Sequence, residues 1–118
     1  MDVVKEELGG VTRVTPKGRI DSTTAKRFLD ELNGVILEGC RRLVIDFHEV
    51  QFISSAGFRS LLVADANLRQ ASGMLALCRL PAEVQRLFEI GAFTEHFTIY
   101  ASAEECLQKL SPDSGRSG

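Results

Sequence analysis

Two hydroxyls and a run of small residues stand together in Val50-Gln51-Phe52-Ile53-Ser54-Ser55-Ala56-Gly57-Phe58-Arg59, where an apolar, strand-like stretch passes into a helical pattern. The first amides of a helix lack intrahelical acceptors and carry partial positive charge, so an anion carried on a hydroxyl there meets donors and a favourable dipole. A phosphoserine suits such a position. Ala56 and Gly57 leave the backbone open to an enzyme that must bring a phosphoryl group in line with the serine oxygen. A phosphate adds roughly −1.5 to −2 charge at neutral pH, turning a neutral contact patch into one that repels carboxylates or seeks arginine. The plainer alternative is that Ser54 or Ser55 caps the helix and Gly57 allows close packing. Arg59, four residues after Ser55, lies one turn along the same face, where it either pairs with such a phosphate or stays solvated.

Other chemistry has weaker support. No phosphate-binding glycine loop, dinucleotide turn, zinc-protease helix or Cys-x-x-Cys pair occurs in the chain. His48 and His96 have no second histidine or cysteine at ligand spacing and read as loop histidines, so neither a metal nor a cofactor is expected. A serine hydrolase would use Ser55 with His48 or His96 and Asp46, because a serine between strand and helix also describes a nucleophile elbow, but the Gly-x-Ser-x-Gly frame is missing. Cys40, Cys78 and Cys106 are odd in number and not closely paired, and read as buried, reduced thiols.

The elements that would position Ser55 follow from periodicity. Residues 2–8 and 11–17 flank Gly9-Gly10, a pair that tolerates the positive φ of a tight turn, and predict an opening β-hairpin. Pro16 has no amide to donate and pushes the end of the second strand toward an edge or an irregular exit. Ala25, Phe28, Leu29, Leu32, Val35 and Ile36 recur at helical spacing over 23–38, with Gly39 beyond the end. Leu43 to Phe47 is a nearly continuous apolar run, the pattern of a strand buried on both faces. The helix after Ser54-Ser55 carries Phe58, Leu61, Leu62 and Leu68 on an apolar face and Arg59, Asp65, Asn67 and Arg69 on a polar one. Met74 to Leu80 reads as a buried strand, Pro81 to Gly91 as a short helix with Val84, Leu87 and Phe88 inward, and 97–100 as a last strand. Ser102-Ala103-Glu104-Glu105 has capping-box spacing ahead of a closing helix. The expected fold is α/β: a hairpin, then alternating helices and strands, giving a mostly parallel mixed sheet of about five strands with about four helices.

Composition agrees with one domain over 1–110 and a polar, flexible tail over 111–118. The 118 residues are 44% hydrophobic and 25% charged, with mean hydropathy +0.01. A formal charge of −2 lacks the basic excess that nucleic acid requires. No apolar run approaches the ~20 residues that span a bilayer, and the acidic start does not read as a signal peptide. A cytoplasmic protein, monomeric or weakly dimeric, is expected.

Three stretches together resemble the STAS family, the sulfate transporter and anti-sigma factor antagonist domain, and specifically its free-standing bacterial antagonists. Gly18-Arg19-Ile20-Asp21-Ser22-Thr23-Thr24-Ala25 is similar to the family's Gly-x-Leu-Asp-x-x-Thr-Ala entry to its first helix, Leu43 to Leu62 to its strand, loop and second helix, and Arg86-Leu87-Phe88-Glu89-Ile90-Gly91 to its Arg-Leu-Phe-x-x-x-Gly-Leu stretch. The likeness spans residues ~3 to 110, a whole small domain. It implies a small sheet flanked by helices and a binding protein without catalysis of its own. The implied partner is an anti-sigma factor that is also a serine-protein kinase; binding releases the sigma factor, phosphorylation blocks the complex, and a serine phosphatase reverses the mark.

The family's phosphorylated serine matches Ser55, with Ser54 as the second choice. Ser54 itself stands where the family has an aspartate, and Ala56 where it has a second hydroxyl. Asp21 matches a recurring position near the loop, where its carboxylate either faces the partner or caps the first helix. The implied contact face is Asp21 with Ser54, Ser55, Ala56, Gly57 and Arg59. Other members act without the switch, as scaffold subunits of lipid-transport or stress-signalling assemblies.

Overall fold

The structure, a computed structural model, describes residues 1–112; the remainder of the tail expected over 111–118 lies outside the described residues. Six strands and four helices follow in the order β1 (Asp2–Leu8), β2 (Val11–Ile20), α1 (Ala25–Leu37), β3 (Arg42–Asp46), β4 (Val50–Ile53), α2 (Ser55–Gln70), β5 (Met74–Cys78), α3 (Ala82–Ile90), β6 (Thr98–Tyr100) and α4 (Ala103–Leu110). The hairpin forms as its sequence predicts, with Gly9 and Gly10 at φ +60° and +86°. That pair of positive angles matches the twist of the flanking strands.

The sheet order is β1-β2-β3-β5-β6, antiparallel between β1 and β2 and parallel elsewhere, with β4 attached to β2. Two expectations change here. The sheet has six strands rather than about five, and β4 follows β3 with no helix between them. Residues 12–14 of β2 pair with β3 and residues 18–20 with β4, so β4 resumes β3's course further along β2. Pro16 sits between those two stretches and pairs with Val3, so its strand is interior rather than an edge, and the irregular exit expected after it appears as a register shift between Gly18 and Arg19. The missing donor falls where the ladder changes partners.

Leu43, Ile45, Leu75 and Leu77 point into a main core with Phe28 and Leu32 of α1, Leu61 and Leu68 of α2, and Phe88 of α3. Val44, Ala76 and Cys78 point the other way, onto Cys106 and Leu110 of α4. The continuous apolar run of β3 is explained by this two-sided burial. Each buried valine, leucine, isoleucine or phenylalanine among them contributes roughly 1.5–3 kcal/mol relative to exposure.

Cys78 and Cys106 are buried free thiols as expected, whereas Cys40 is only half-buried. Hydrogen bonding to Cys78 and burial push the Cys106 thiol far up, which keeps it protonated. β5 stops at Cys78 rather than Leu80 because Arg79 adopts a left-handed backbone, φ +54°. No described helix is long and apolar enough to cross a membrane.

Candidate functional site

Ser54 is the N-cap of α2. Its backbone is extended, its amide donates to the Ile20 carbonyl at 2.8 Å, and its Oγ accepts from the Gly57 amide at 3.4 Å. Ser55, the first helical residue, is exposed, and among the described residues its hydroxyl has no hydrogen-bond partner. The two adjacent hydroxyls therefore separate: one holds the helix start and the other is presented outward.

Gly57 makes this geometry possible. A Cβ at that position would lie 2.7 Å from Ile53 Cγ1, 2.8 Å from Ile20 Cγ2 and 2.9 Å from the Ile20 carbonyl oxygen. The first turn of α2 is thus pressed against the end of β2, the residue before Asp21. Between α2 and α1, the Ser60 hydroxyl donates to the Ala25 carbonyl at 3.0 Å, and Asn67 donates to Asn33.

Asp21 lies in the loop that this contact brings alongside. Its Oδ1 accepts from the Thr23 amide at 3.0 Å and the Thr23 hydroxyl at 2.7 Å, while its own amide donates to Thr24 Oγ1 at 2.9 Å. The Thr23 hydroxyl and amide, with Arg19, hold its carboxyl below the usual carboxylate range. Of the two roles left open for Asp21, the N-cap position of α1 falls to Thr24, without a side-chain cap bond, while the Asp21 carboxylate orders the turn leading into the helix and its backbone carbonyl accepts from the Ala25 amide at 2.8 Å. Arg19 extends the arrangement, with Nε 3.6 Å from Asp21 Oδ2 and its guanidinium carbon 4.4 Å from the centre of the Phe52 ring.

Beside Ser55 runs an open apolar groove of about 560 Å³, with Phe52, Phe58 and Leu62 on one side and Leu87, Ile90 and Phe93 on the other. Phe93 stacks on Phe58 at 4.3 Å between ring centres. Ser54, Ser55 and Arg59 also line it, and Arg59 is its single charged lining residue. Sequence reasoning missed the α3 wall. The signal was present: Ile90 is an apolar residue off the buried stripe of Val84 and Phe88, and it is 71% exposed.

A second cluster sits at the ends of β3 and β5. Asp46 is fully buried; Arg79 Nε donates to both of its oxygens at 3.2 Å, and the His48 amide and Nδ1 lie 3.1 and 2.9 Å from Oδ1. Burial pushes the Asp46 carboxyl up, but Arg79 and the two His48 contacts outweigh it and hold the group below its ordinary value. His48 Nε2 faces Glu49 at 3.6 Å. His96 meets Asp65, a residue expected on the polar face of α2 but buried there between His96 at 3.3 Å and Arg69 at 3.0 Å. Both histidines are thus turned toward carboxylates, and among the described residues neither is hydrogen-bonded to Ser55.

A small mixed sheet flanked by helices, with a presented serine at the start of the second helix, defines a class, and residues 2–106 match the STAS domain family. The chain belongs to that family. It is 34% identical over 104 residues to BtrV of Bordetella bronchiseptica, provisionally named an anti-sigma factor antagonist, covering 88% of this chain and 90% of that protein. An anti-sigma factor antagonist from Mycobacterium paratuberculosis superimposes with TM-score 0.84 at 22% identity, covering 92% of each chain. The Bacillus cell fate determinant SpoIIAA in its phosphorylated form gives TM-score 0.70 at 15% identity, covering 92% of this chain and 98% of that one.

Proposed function

We propose that this protein is an anti-sigma factor antagonist, that it binds an anti-sigma factor which is also a serine-protein kinase, and that phosphorylation of Ser55 switches the binding off. One observation carries the assignment: Ser54 is engaged as the helix cap, while the Ser55 hydroxyl is exposed and unpartnered among the described residues. The name of the Bordetella relative and the existence of SpoIIAA in a phosphorylated form support it. The contact face is the exposed start of α2, Ser55 with Ala56 and Arg59, together with the loop that holds Asp21; Gly57, expected on that face, is buried behind it against Ile20 and Ile53.

In the modification, Ser55 Oγ attacks the γ-phosphorus of ATP. The new O–P bond forms as the bond to the ADP oxygen breaks, and the hydroxyl proton passes to a base of the kinase. The added charge of roughly −1.5 to −2 falls on the surface the kinase must touch, so product and complex are incompatible. A serine phosphatase restores the hydroxyl. The cycle belongs in the cytoplasm and needs no cofactor bound to this chain.

Incubation with the anti-sigma factor kinase encoded in the same genome and with Mg-ATP is expected to add one phosphate, about 80 Da, mapped to Ser55. Ser54→Ala retains the label and Ser55→Ala abolishes it. Undiminished labelling of Ser55→Ala overturns the assignment. The serine in place of the family aspartate favours a second reading, an unswitched scaffold subunit of a lipid-transport or stress-signalling assembly. Stable partner binding without any label selects that one.

A further inference from the structure

Arg59 is unlike most of the other cationic side chains. Lys5, Arg13, Lys17, Arg19, Lys26 and Arg27 each face a carboxylate on the surface, and Arg69 and Arg79 face buried ones. Arg59 is exposed and has no acceptor among the described residues, a condition it shares with Arg86. Unlike Arg86, it lines the groove beside Ser55, whose lining contains no carboxylate.

We infer that Arg59 decides which acid the Ser55 rim accepts. In the unmodified chain it receives a carboxylate from an amphipathic helix of the anti-sigma partner, whose apolar side chains fill the groove between α2 and α3. Phosphate on Ser55 captures the same guanidinium and shuts that helix out. The inference rests on the reading of Ser55 given above.

Charge and shape select the occupant. A groove walled by two helices and lined by seven apolar side chains suits the apolar stripe of a third helix. Its one unpaired cation asks for one acidic residue on that stripe's flank. Ile90, exposed on the groove wall, extends a contiguous apolar surface that the domain's own core does not use, the mark of an interaction site.

The competition follows from spacing. Residues four apart on a helix are surface neighbours, so phosphoserine 55 and Arg59 meet within one turn of α2. A guanidinium bonds a phosphate through two parallel N–H groups, more strongly than it would a neutral acceptor. The phosphate is also tethered to the same helix, whereas the partner's carboxylate arrives from solution, so effective concentration favours the phosphate.

Phosphoserine installed at position 55 during translation tests the inference without any kinase. In a phosphorus NMR titration, the second ionisation of the phosphate is expected about 0.3 pH unit lower in the chain with Arg59 than in Arg59→Gln, the scale of an i,i+4 charge pair. Equal values overturn the inference.

Calorimetry with the anti-sigma factor kinase supplies the second arm. Arg59→Gln and Ile90→Asp, both surface changes, are each expected to weaken binding of the unmodified chain about tenfold. Phosphorylation then weakens Arg59→Gln by a smaller factor than the natural chain, because one of its two effects is already gone. Equal factors in the two chains, or full affinity in both surface variants, contradict it. Phosphorus shift without enzymatic labelling supports the Arg59 pairing and rejects the kinase reading; labelling without the shift rejects the inference alone.

Discussion

Two clusters occupy the ends of the parallel strands, and they spend their polar groups in opposite ways. At the ends of β3 and β5, Asp46, Arg79 and His48 satisfy one another, with the carboxylate fully buried. At the ends of β2 and β4, the Ser55 hydroxyl and the Arg59 guanidinium are left without partners among the described residues, beside an apolar groove. A histidine, an aspartate and an arginine held close look more like chemistry than a serine and a lone arginine do. Unused bonding capacity at an accessible surface is the better guide to a binding site, because a saturated cluster has nothing left to offer a ligand. The first cluster holds the fold, and the second is the one we propose to meet the partner.

That contrast is broken most severely by removing one member of the closed cluster. Arg79→Ala leaves the Asp46 carboxylate buried with only His48 beside it, and is expected to cost about 3 kcal/mol, the low end for a broken buried pair, because Arg79 itself is 39% exposed. Chemical denaturation measures it. A loss under 1 kcal/mol would make the cluster ornamental.

Gly57→Ala follows. The methyl group meets a backbone carbonyl that cannot move aside, so overpacking of roughly 1–3 kcal/mol is expected, together with displacement of the Asp21 loop from α2. Amide chemical shifts of Asp21 and Thr23 report the displacement.

Acid sharpens the comparison. Asp46 ionises below its ordinary value, so its contribution to stability is complete above about pH 4 and is lost as pH falls through the lowered folded value. The stability gap between the natural chain and Asp46→Asn should therefore be widest near neutrality and narrow on acidification below that point. A gap that widens in acid reverses the sign of this account.

Smallest are the serine changes. Ser54→Ala removes a cap whose hydrogen bond is long, for about 0.5–1 kcal/mol. Ser55→Ala, with no bond to lose, should change stability by less than about 0.5 kcal/mol.

Local features of both clusters were legible in the sequence, and the pairings between distant residues were not. Helical spacing from Ala25 to Ile36, the glycine pair of the hairpin and the hydroxyls at the start of α2 each act within a few residues, so pattern alone locates them. β4 was readable as a strand-like stretch but not as a separate strand of the sheet, because its four residues pair with β2 only beyond the register shift at Gly18 and Arg19. Asp46 and Arg79 are 33 residues apart, and no periodicity links them. Asp65 shows the same limit: its spacing placed it on the polar face, and the loop carrying His96 then covered it. The groove depends on how α3 sits against α2, which leaves Ile90 outward and Leu87 half-covered.

The most direct test is the ratio of two dissociation constants, those of the anti-sigma factor kinase for the unmodified chain and for the chain carrying phosphoserine at 55. The account predicts at least roughly tenfold weaker binding after modification, about 1.4 kcal/mol. Equal affinities would contradict it.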